Sequence, residues 1–576
     1  MKLYIKGLIL SGLLAGTACT DLDVDLNTKY TDLPDNPIAI EGEFNGCYRF
    51  LHGWFGRDFA EGVIFQGDEV MGCCFGVGNY YDDGRYLDAS IHSLHLDNWR
   101  TKACMEGAMA GLTYTNRRIA AYGGPTLDDP AVAPLRAIRA YYLFWMMELY
   151  GDTPLLDHAL SDGEVIDRAP RADVARYIES ELLAILNQEG GLSKANDVST
   201  YGKPNYWMAA ALLAKLYLNW GVYTNDITTV TGSTPNEKLN DCVYWCDQII
   251  NSGLFEVGNG YRKKFFPDNG VHIKDFIYAL DVDPATKGDG TTTWYRWFGF
   301  KKDGWIQPYT LGWKNEKSLA GQTVLTKECV ERFNLPGDER NEMILAGPQY
   351  AFDLNYNKTN TPLYIYDEVG EVMQLNFHTE FDFDDGRIYS LGDEAQPAIT
   401  DETIANGTAV LNIQKGARCF KYPPREEDYS LWNRQQANDS PIFRFADILL
   451  TKAECIMRGA QATLGDTPMS LFNEIRRCSN APLLTTAPTM DELLDERSRE
   501  FLLEPWRRND LIRFGKFEED WGQKNSYKEW DNAEHTQFHW VDRPNVKDPN
   551  RRLMPLHRDM LNTNTNWSQN PGYQGI

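Results

Sequence analysis

Thr489-Met-Asp-Glu-Leu-Leu-Asp-Glu-Arg-Ser-Arg-Glu-Phe-Leu-Leu-Glu-Pro-Trp-Arg-Arg-Asn-Asp-Leu-Ile-Arg-Phe-Gly-Lys-Phe517 is the stretch on which the reading of the chain turns. Thr489 and Glu492 have the spacing of a capping box, in which each side chain satisfies an amide of the first helical turn. Leu493, Leu494, Arg497 and Phe501 then recur at helical spacing, so an arginine stands in the middle of an apolar face. An arginine there needs an anionic partner, and Glu500 and Glu504 follow it on the same side. Pro505 ends the helix, because it lacks an amide and disfavours helical geometry in the residue before it. Trp506-Arg507-Arg508-Asn509-Asp510 then begins a second element that runs through Arg513. So dense a set of carboxylates and guanidinium groups suits an active site, a phosphate clamp or a buried structural network.

Outward from this stretch the chain is mostly helical. Phe445, Ile448, Leu449 and Ile456 share a face that ends at Gly459, and Met469, Phe472 and Ile475 form its partner. Further upstream, Leu135, Ile138, Tyr142, Trp145, Met146 and Leu149 precede Gly151, a residue suited to a helix C-terminus. Val174, Ile178, Leu182, Ile185 and Leu186 repeat the pattern after Pro170. So do Ala209, Leu212, Leu213, Leu216 and Trp220 before Gly221, and Val243, Cys246, Ile249 and Ile250 before Gly253. Two more helices are expected, over about 39–55 and about 97–123. Helices in consecutive pairs point to a mainly α fold, a degenerate tetratricopeptide-like solenoid, with loops of variable length breaking any strict repeat. Two regions depart from this. Residues 56–98 are glycine-rich and read mostly as loop; residues 254–440 are rich in Gly, Asn, Asp and aromatics, with short β-type runs such as Phe276–Leu280. So long an irregular stretch between helical regions usually carries function.

The 576 residues, 43% hydrophobic and 12% aromatic, describe a folded chain with room for several cores. A formal charge of −25, without a concentrated basic patch, excludes nucleic acid as the natural partner. Lys2 and Lys6 precede an apolar run from Gly7 to Ala18 that stops at Cys19, the pattern of a signal peptide whose removal exposes Cys19 to lipidation. No other apolar run approaches the roughly 20 residues a membrane-spanning helix needs. The chain is therefore expected to meet the membrane only through an N-terminal lipid. The remaining cysteines show no metal-site spacing; Cys242 and Cys246 read as core, and Cys73-Cys74 lie in the Gly-rich loop.

Candidate ligand residues concentrate in the two irregular regions. Trp54, Asp68, Tyr80, Tyr81, Asp82, Asp83 and Arg85 mix flat apolar faces with hydrogen-bonding groups, as a glycan site requires. Trp294, Tyr295, Trp297, Trp305, Tyr309 and Trp313 repeat the mixture. Core packing accounts for any one of them, but their density in segments without apolar periodicity favours a surface role. Glu380, Asp382, Asp384 and Asp385 do not meet the spacing of an EF-hand, so they read as a solvated acidic turn, with Arg387 beside it able to hold a sugar. His92 and His95 lack a third ligand, and no metal or cofactor is expected.

Several motifs together resemble the SusD/RagB family of outer-membrane nutrient-binding lipoproteins. They are Leu135-Arg-Ala-Ile-Arg-Ala-Tyr-Tyr142 with Leu149-Tyr-Gly-Asp-Thr-Pro-Leu155, and Arg444-Phe-Ala-Asp-Ile-Leu-Leu-Thr-Lys-Ala-Glu454. To these add Glu496-Arg497 through Asp510-Leu-Ile-Arg513, and Pro555-Leu-His557 with Asn566-Trp-Ser-Gln-Asn-Pro-Gly-Tyr573. His557 replaces the family's usual proline, and Gly16 the usual leucine ahead of the lipidated cysteine; Asp21, Asp23 and Asp25 resemble the acidic export tag of surface lipoproteins. The resemblance implies about four tetratricopeptide-like units with a loop-rich subdomain. It also implies a lipid anchor facing the cell exterior, a SusC-like TonB-dependent transporter as partner, an oligosaccharide ligand held between the two, and no catalysis. Peptide capture is the nearest alternative; a glycoside hydrolase or a pure scaffold are the others. The expected divisions are a signal peptide over 1–18 and a lipidated tether over 19–38, followed by an N-terminal helical region over 39–253 with its ligand loop at about 56–98. A variable insertion over 254–440 and a C-terminal helical region over 441–576 complete the chain. Within the family signature Arg497, Glu500, Glu504, Asp510 and Arg513 are expected to form a structural ion-pair cluster, since ligands differ among members while the signature does not.

Overall fold

A computed structural model describes residues 36–72, 85–287, 323–380, 386–390, 414–425, 427–428, 435–531 and 536–573, with Ala398 and Thr400. It divides into two units, Met1–Phe44 and Asn45–Ile576. Of the first, the described residues open the helix Pro37–Gly53. Everything that follows concerns the second.

The second unit is mainly α-helical, and successive helices pack side by side. Trp99–Tyr122 packs on Ala133–Tyr150, which packs in turn on Arg171–Asn187; Tyr206–Leu218 packs on Leu239–Asn251. Near the C-terminus Phe445–Met457 joins the latter pair and packs on Pro468–Cys478. Local chemistry fixes the helix starts. Asn98 and Asn205 accept the amides of Arg100 and Met208 at 3.0 and 2.9 Å. The capping box of Met490–Phe501 is formed, with the Thr489 amide reaching Glu492 at 2.6 Å and the Glu492 amide reaching Thr489 at 3.2 Å. Residues 502–506, Pro505 among them, separate that helix from Arg507–Phe514, where Gly515 closes the end in a left-handed conformation.

Ala133–Tyr150 and Tyr206–Leu218 are buried on nearly every side rather than along one stripe. Each lies between other helices, so its polar side chains, Arg136, Arg139 and Glu148 among them, must find partners inside the protein.

The described part of residues 56–98, a range expected to be mostly loop, holds more regular structure than its glycines suggest. A π-helical turn Trp54–Phe59 runs into the helix Ala60–Ile64, and the strand Val70–Gly72 and helix Arg85–Ser90 follow. Gly62 sits inside the second of these, and a Cβ there would stand 2.7 Å from the Cys104 sulfur. This glycine serves close packing, not a turn.

The irregular region has its own framework. Phe276–Leu280 pairs antiparallel with Ser440–Arg444, so the two ends of the intervening stretch are neighbours. Inside it, Tyr364–Asp367 is the middle strand of a three-stranded sheet with Val372–Gln374 and Tyr389–Ser390. Leu345, Phe352, Ile365, Leu375, Phe377 and Phe420 are among the residues of a separate small core. Cys242 and Cys246 are buried thiols in the helical core. No helix among the described residues is long and apolar enough to cross a membrane.

Candidate functional site

The strand Val70–Gly72 pairs antiparallel with Thr323–Leu325, Val70 opposite Leu325 and Gly72 opposite Thr323. Thr326 extends the tie, donating its amide to the Glu69 carbonyl at 2.9 Å and its hydroxyl to the Asp68 carbonyl at 2.6 Å. The two segments that hold most of the candidate aromatics, one following Gly72 and the other preceding Thr323, thus leave from neighbouring strand ends. Tyr80, Tyr81, Asp82 and Asp83, Trp294, Trp297, Trp305 and Trp313, and Cys19 lie outside the described residues, as does the side chain of Arg85 at the start of Arg85–Ser90.

Two other candidates are placed in the core, which corrects their reading as ligand contacts. Trp54 is buried among Phe59 and Tyr142, and its indole N–H donates to the Cys104 carbonyl at 2.9 Å. Asp68 is also buried and accepts from Arg507 at 2.6 and 2.8 Å and from Arg332 at 2.5 Å. Burial pushes the Asp68 carboxyl up, but Arg332 and Arg507 more than reverse this and hold it well below the usual carboxylate range. Trp54 belongs to an apolar run and Asp68 to a salt-bridge network; neither offers a face to solvent. Arg387 is exposed, with Asp367 and Glu371 each 3.5 Å away.

The second unit holds a buried ion-pair network made of several clusters; Arg497, Asp510 and Arg513 belong to one and Glu500 and Glu504 to another. The pairing differs from the sequence expectation. Arg497 does not pair with Glu500 or Glu504 of its own helix but with Asp510 at 2.7 Å and Asp447 at 3.0 Å. Glu500 and Glu504 instead serve Arg444, which reaches them at 2.7 and 2.9 Å and Asp275 at 2.7 Å. Arg340 joins Asp338, Glu496 and Glu500 at 2.8, 2.8 and 3.2 Å. Arg513 grips Glu454 through two nitrogens at 2.7 and 2.9 Å and reaches Asp510 at 2.7 Å. Arg508 reaches Glu148 at 3.1 Å. Burial raises the Asp447 carboxyl, but Lys215 and Arg497 outweigh that and bring it down to about 2. Among the members outside the 489–517 stretch, Asp275 and Arg340 carried no local signal, because Arg444 for the one and Glu496 and Glu500 for the other are remote in sequence.

Three groups at the edge of this network are buried with less compensation. Glu69 accepts from the Ser498 hydroxyl at 2.8 Å through Oε1, while its Oε2 has no hydrogen-bond partner among the described residues. Burial pushes it up to about 7 against the pull of Arg507. Burial and Lys524 push His92 down to about 3, and its ring stacks on Phe517 at 3.9 Å. Lys524 has no carboxylate within ion-pair distance among the described residues; it donates to the Phe65 carbonyl at 2.9 Å and to that of Gly67, and burial pushes it down to about 7.

A separate open cleft of about 1080 Å³ lies in the loop-rich part of the unit, between the Arg262–Phe265 turn and the hairpin tip at 353–357. A smaller one, of about 300 Å³, adjoins it across Pro267 and Arg425. The sequence reading singled out none of these residues; the only signal was the turn-forming Asp353-Leu-Asn-Tyr-Asn357. Among the described residues no group of three or more His, Cys, Asp or Glu is placed to hold a metal ion.

Comparison with known proteins adds the ancestry. The model of the SusD family matches residues 399–573. SusD-like protein P38 of Formosa agariphila is 33% identical over 425 residues, which cover 70% of this chain and 69% of that protein. The chain belongs to the SusD family. A second SusD relative is the starch-binding protein SusD of Bacteroides thetaiotaomicron, 25% identical over 457 residues, or 77% of this chain and 72% of that one. Among solved structures, surface glycan-binding protein A from Bacteroides thetaiotaomicron in complex with laminarihexaose has the same fold. It superimposes with a TM-score of 0.61 at 16% identity, covering 93% of this chain and 99% of that one. The SusD family model spans Phe445–Met457, Met490–Phe501 and Arg507–Phe514, the three helices that supply much of the ion-pair network.

Proposed function

We propose that this SusD-family chain is a cell-surface lipoprotein that captures an oligosaccharide and passes it, without catalysis, to a SusC-like TonB-dependent transporter of the outer membrane. The similarity to a starch-binding protein over 77% of the chain carries this reading. The Cys19 pattern supports lipid anchoring. The paired strands Val70–Gly72 and Thr323–Leu325 support a ligand site built from the two segments they root, with Tyr80, Tyr81, Asp83, Arg85, Trp294, Trp297, Trp305 and Trp313 as its contacts.

Isothermal titration of the full chain against a panel of oligosaccharides and peptides tests the proposal. Saturable heat with at least one saccharide is expected, reduced by Trp297→Ala. Binding to peptides alone moves the chain to peptide capture. Release of shorter products from a labelled oligosaccharide, abolished by one Asp or Glu substitution, replaces capture by hydrolysis. Co-purification with a TonB-dependent transporter from native membranes tests delivery.

A further inference from the structure

We propose that the cleft between Arg262–Phe265 and the hairpin tip at 353–357 is a second saccharide site, taking a short neutral oligosaccharide independently of the segments rooted on Val70–Gly72. The inference rests on the saccharide reading above. At about 1080 Å³ the cleft is at the upper end of ligand-site volumes, which run to about 1,000 Å³. That is room for a chain of sugars rather than a single ring.

The cleft is built in advance of any ligand. Asp353 accepts the amides of Asn355 and Asn357, both at 2.9 Å, and so fixes the tip between the strands Tyr350–Phe352 and Lys358–Pro362. Tyr356 holds the left-handed φ of 61°, rare for a bulky residue. Its carbonyl accepts from Arg262 at 2.7 Å and its ring packs 4.7 Å from that of Phe266. A tip held this way loses little conformational freedom when a ligand arrives.

The lining chemistry selects the ligand class. Arg262 is matched by Glu342 at 2.8 Å, and Arg425 by Asp283 at 3.2 Å. Glu339 accepts the Tyr261 amide at 2.7 Å. The cationic groups lining the cleft, Arg262, Lys263 and Arg425, are equal in number to its carboxylates, Asp268, Glu339 and Glu342, so an anionic ligand would gain little net attraction. The side chains of Asn355, Asn480, Lys263 and Asp268 line the same space and make no hydrogen bond or ion pair among the described residues. They offer donors and acceptors side by side, which suits hydroxyl groups that both donate and accept. Leu354, 73% exposed, and the ring of Phe266 supply apolar surface for the C–H faces of a sugar.

The test is calorimetry on the full chain with maltohexaose, laminarihexaose, xylohexaose and, as the charged arm, hexagalacturonate. The variant is Asn355→Ala with Asn480→Gly, in which glycine tolerates the φ of 57° at position 480. Two sites per chain are expected for at least one neutral hexasaccharide. The variant should weaken one of them by about tenfold or more and leave the other unchanged. Identical titrations of wild type and variant overturn the cleft site and leave the saccharide reading standing. Binding of hexagalacturonate alone at the cleft overturns the neutral class. A wild-type chain that binds no saccharide overturns both readings together.

Discussion

Arg497 is buried with two carboxylates on its guanidinium, a third nitrogen that finds no acceptor among the described residues, and the Phe501 ring 5.0 Å from its centre. Removing one partner of a buried pair costs about 3–5 kcal/mol, because the other charge is left without compensation. Arg513 and Lys215 remain beside Asp510 and Asp447, so Arg497→Ala is expected near the lower end, roughly 3 kcal/mol in urea unfolding. Arg444→Met, which strips Asp275, Glu500 and Glu504 at once, should cost more. Neither change touches the proposed ligand segments, so calorimetric affinity of the folded fraction should move less than about twofold. A stable Arg497→Ala protein that has lost its ligand would return the cluster to the active-site reading.

Glu69 gives the opposite pH response from its neighbours. Its folded value is raised from 4.5 to about 7, so the carboxyl is protonated in both states below 4.5 and no stability is lost there. As pH rises from 4.5 to 7 the unfolded chain releases the proton while the folded chain keeps it, and stability falls. Glu69→Gln should therefore exceed wild type by on the order of 1–3 kcal/mol at pH 8, and by little at pH 4.5. Asp447, held at about 2, contributes stability above its ordinary value of 3.8 that is lost as pH falls toward 2. Unfolding curves at three pH values separate the two; an unchanged pH profile for Glu69→Gln would refute the first.

At the scale of elements, Ala60–Ile64 shows how close approach shapes a helix. The Gly62→Ala methyl would press on the Cys104 sulfur, at an expected cost of about 1–3 kcal/mol. Cys104→Ala, which removes the obstructing sulfur, should cancel part of that cost, so the double-mutant cycle should show a favourable coupling of at least about 0.5 kcal/mol. Additive effects would mean the contact does not limit the packing. The same position explains what sequence could not convey. The amphipathic helices were legible because their periodicity is local, and the capping box at Thr489 because its two partners are three residues apart. The order in 56–72 was not, since a glycine needed for close packing and one needed for a turn look alike until the facing residue is known. For the same reason Arg497 was given the nearest carboxylates in sequence, while its partners come from two other helices.

At the scale of the molecule, the family was readable from motifs spread between Leu135 and Tyr573, whereas the cleft was not, because its lining comes from separate stretches of chain. Trp54 and Asp68 show the limit of composition: the residue types that suit a sugar also suit a core and a salt bridge. The lipid-anchor proposal makes its own prediction. Cys19→Ala should shift the chain from the membrane to the soluble fraction in cell fractionation; persistent membrane attachment would refute it.

The ion-pair network also has a temporal side. Asp68 obtains its cations from Arg332 and Arg507, and Glu148 from Arg508, so early carboxylates depend on arginines from the middle and the last part of the chain. Until those arginines arrive, the helix Ala133–Tyr150 cannot bury Glu148 without an uncompensated charge. Contacts this distant in sequence close slowly, so the N-terminal core is expected to be completed late in folding. If the chain is exported through its signal peptide as proposed, a late-arriving set of counter-charges would favour folding after translocation over folding before it.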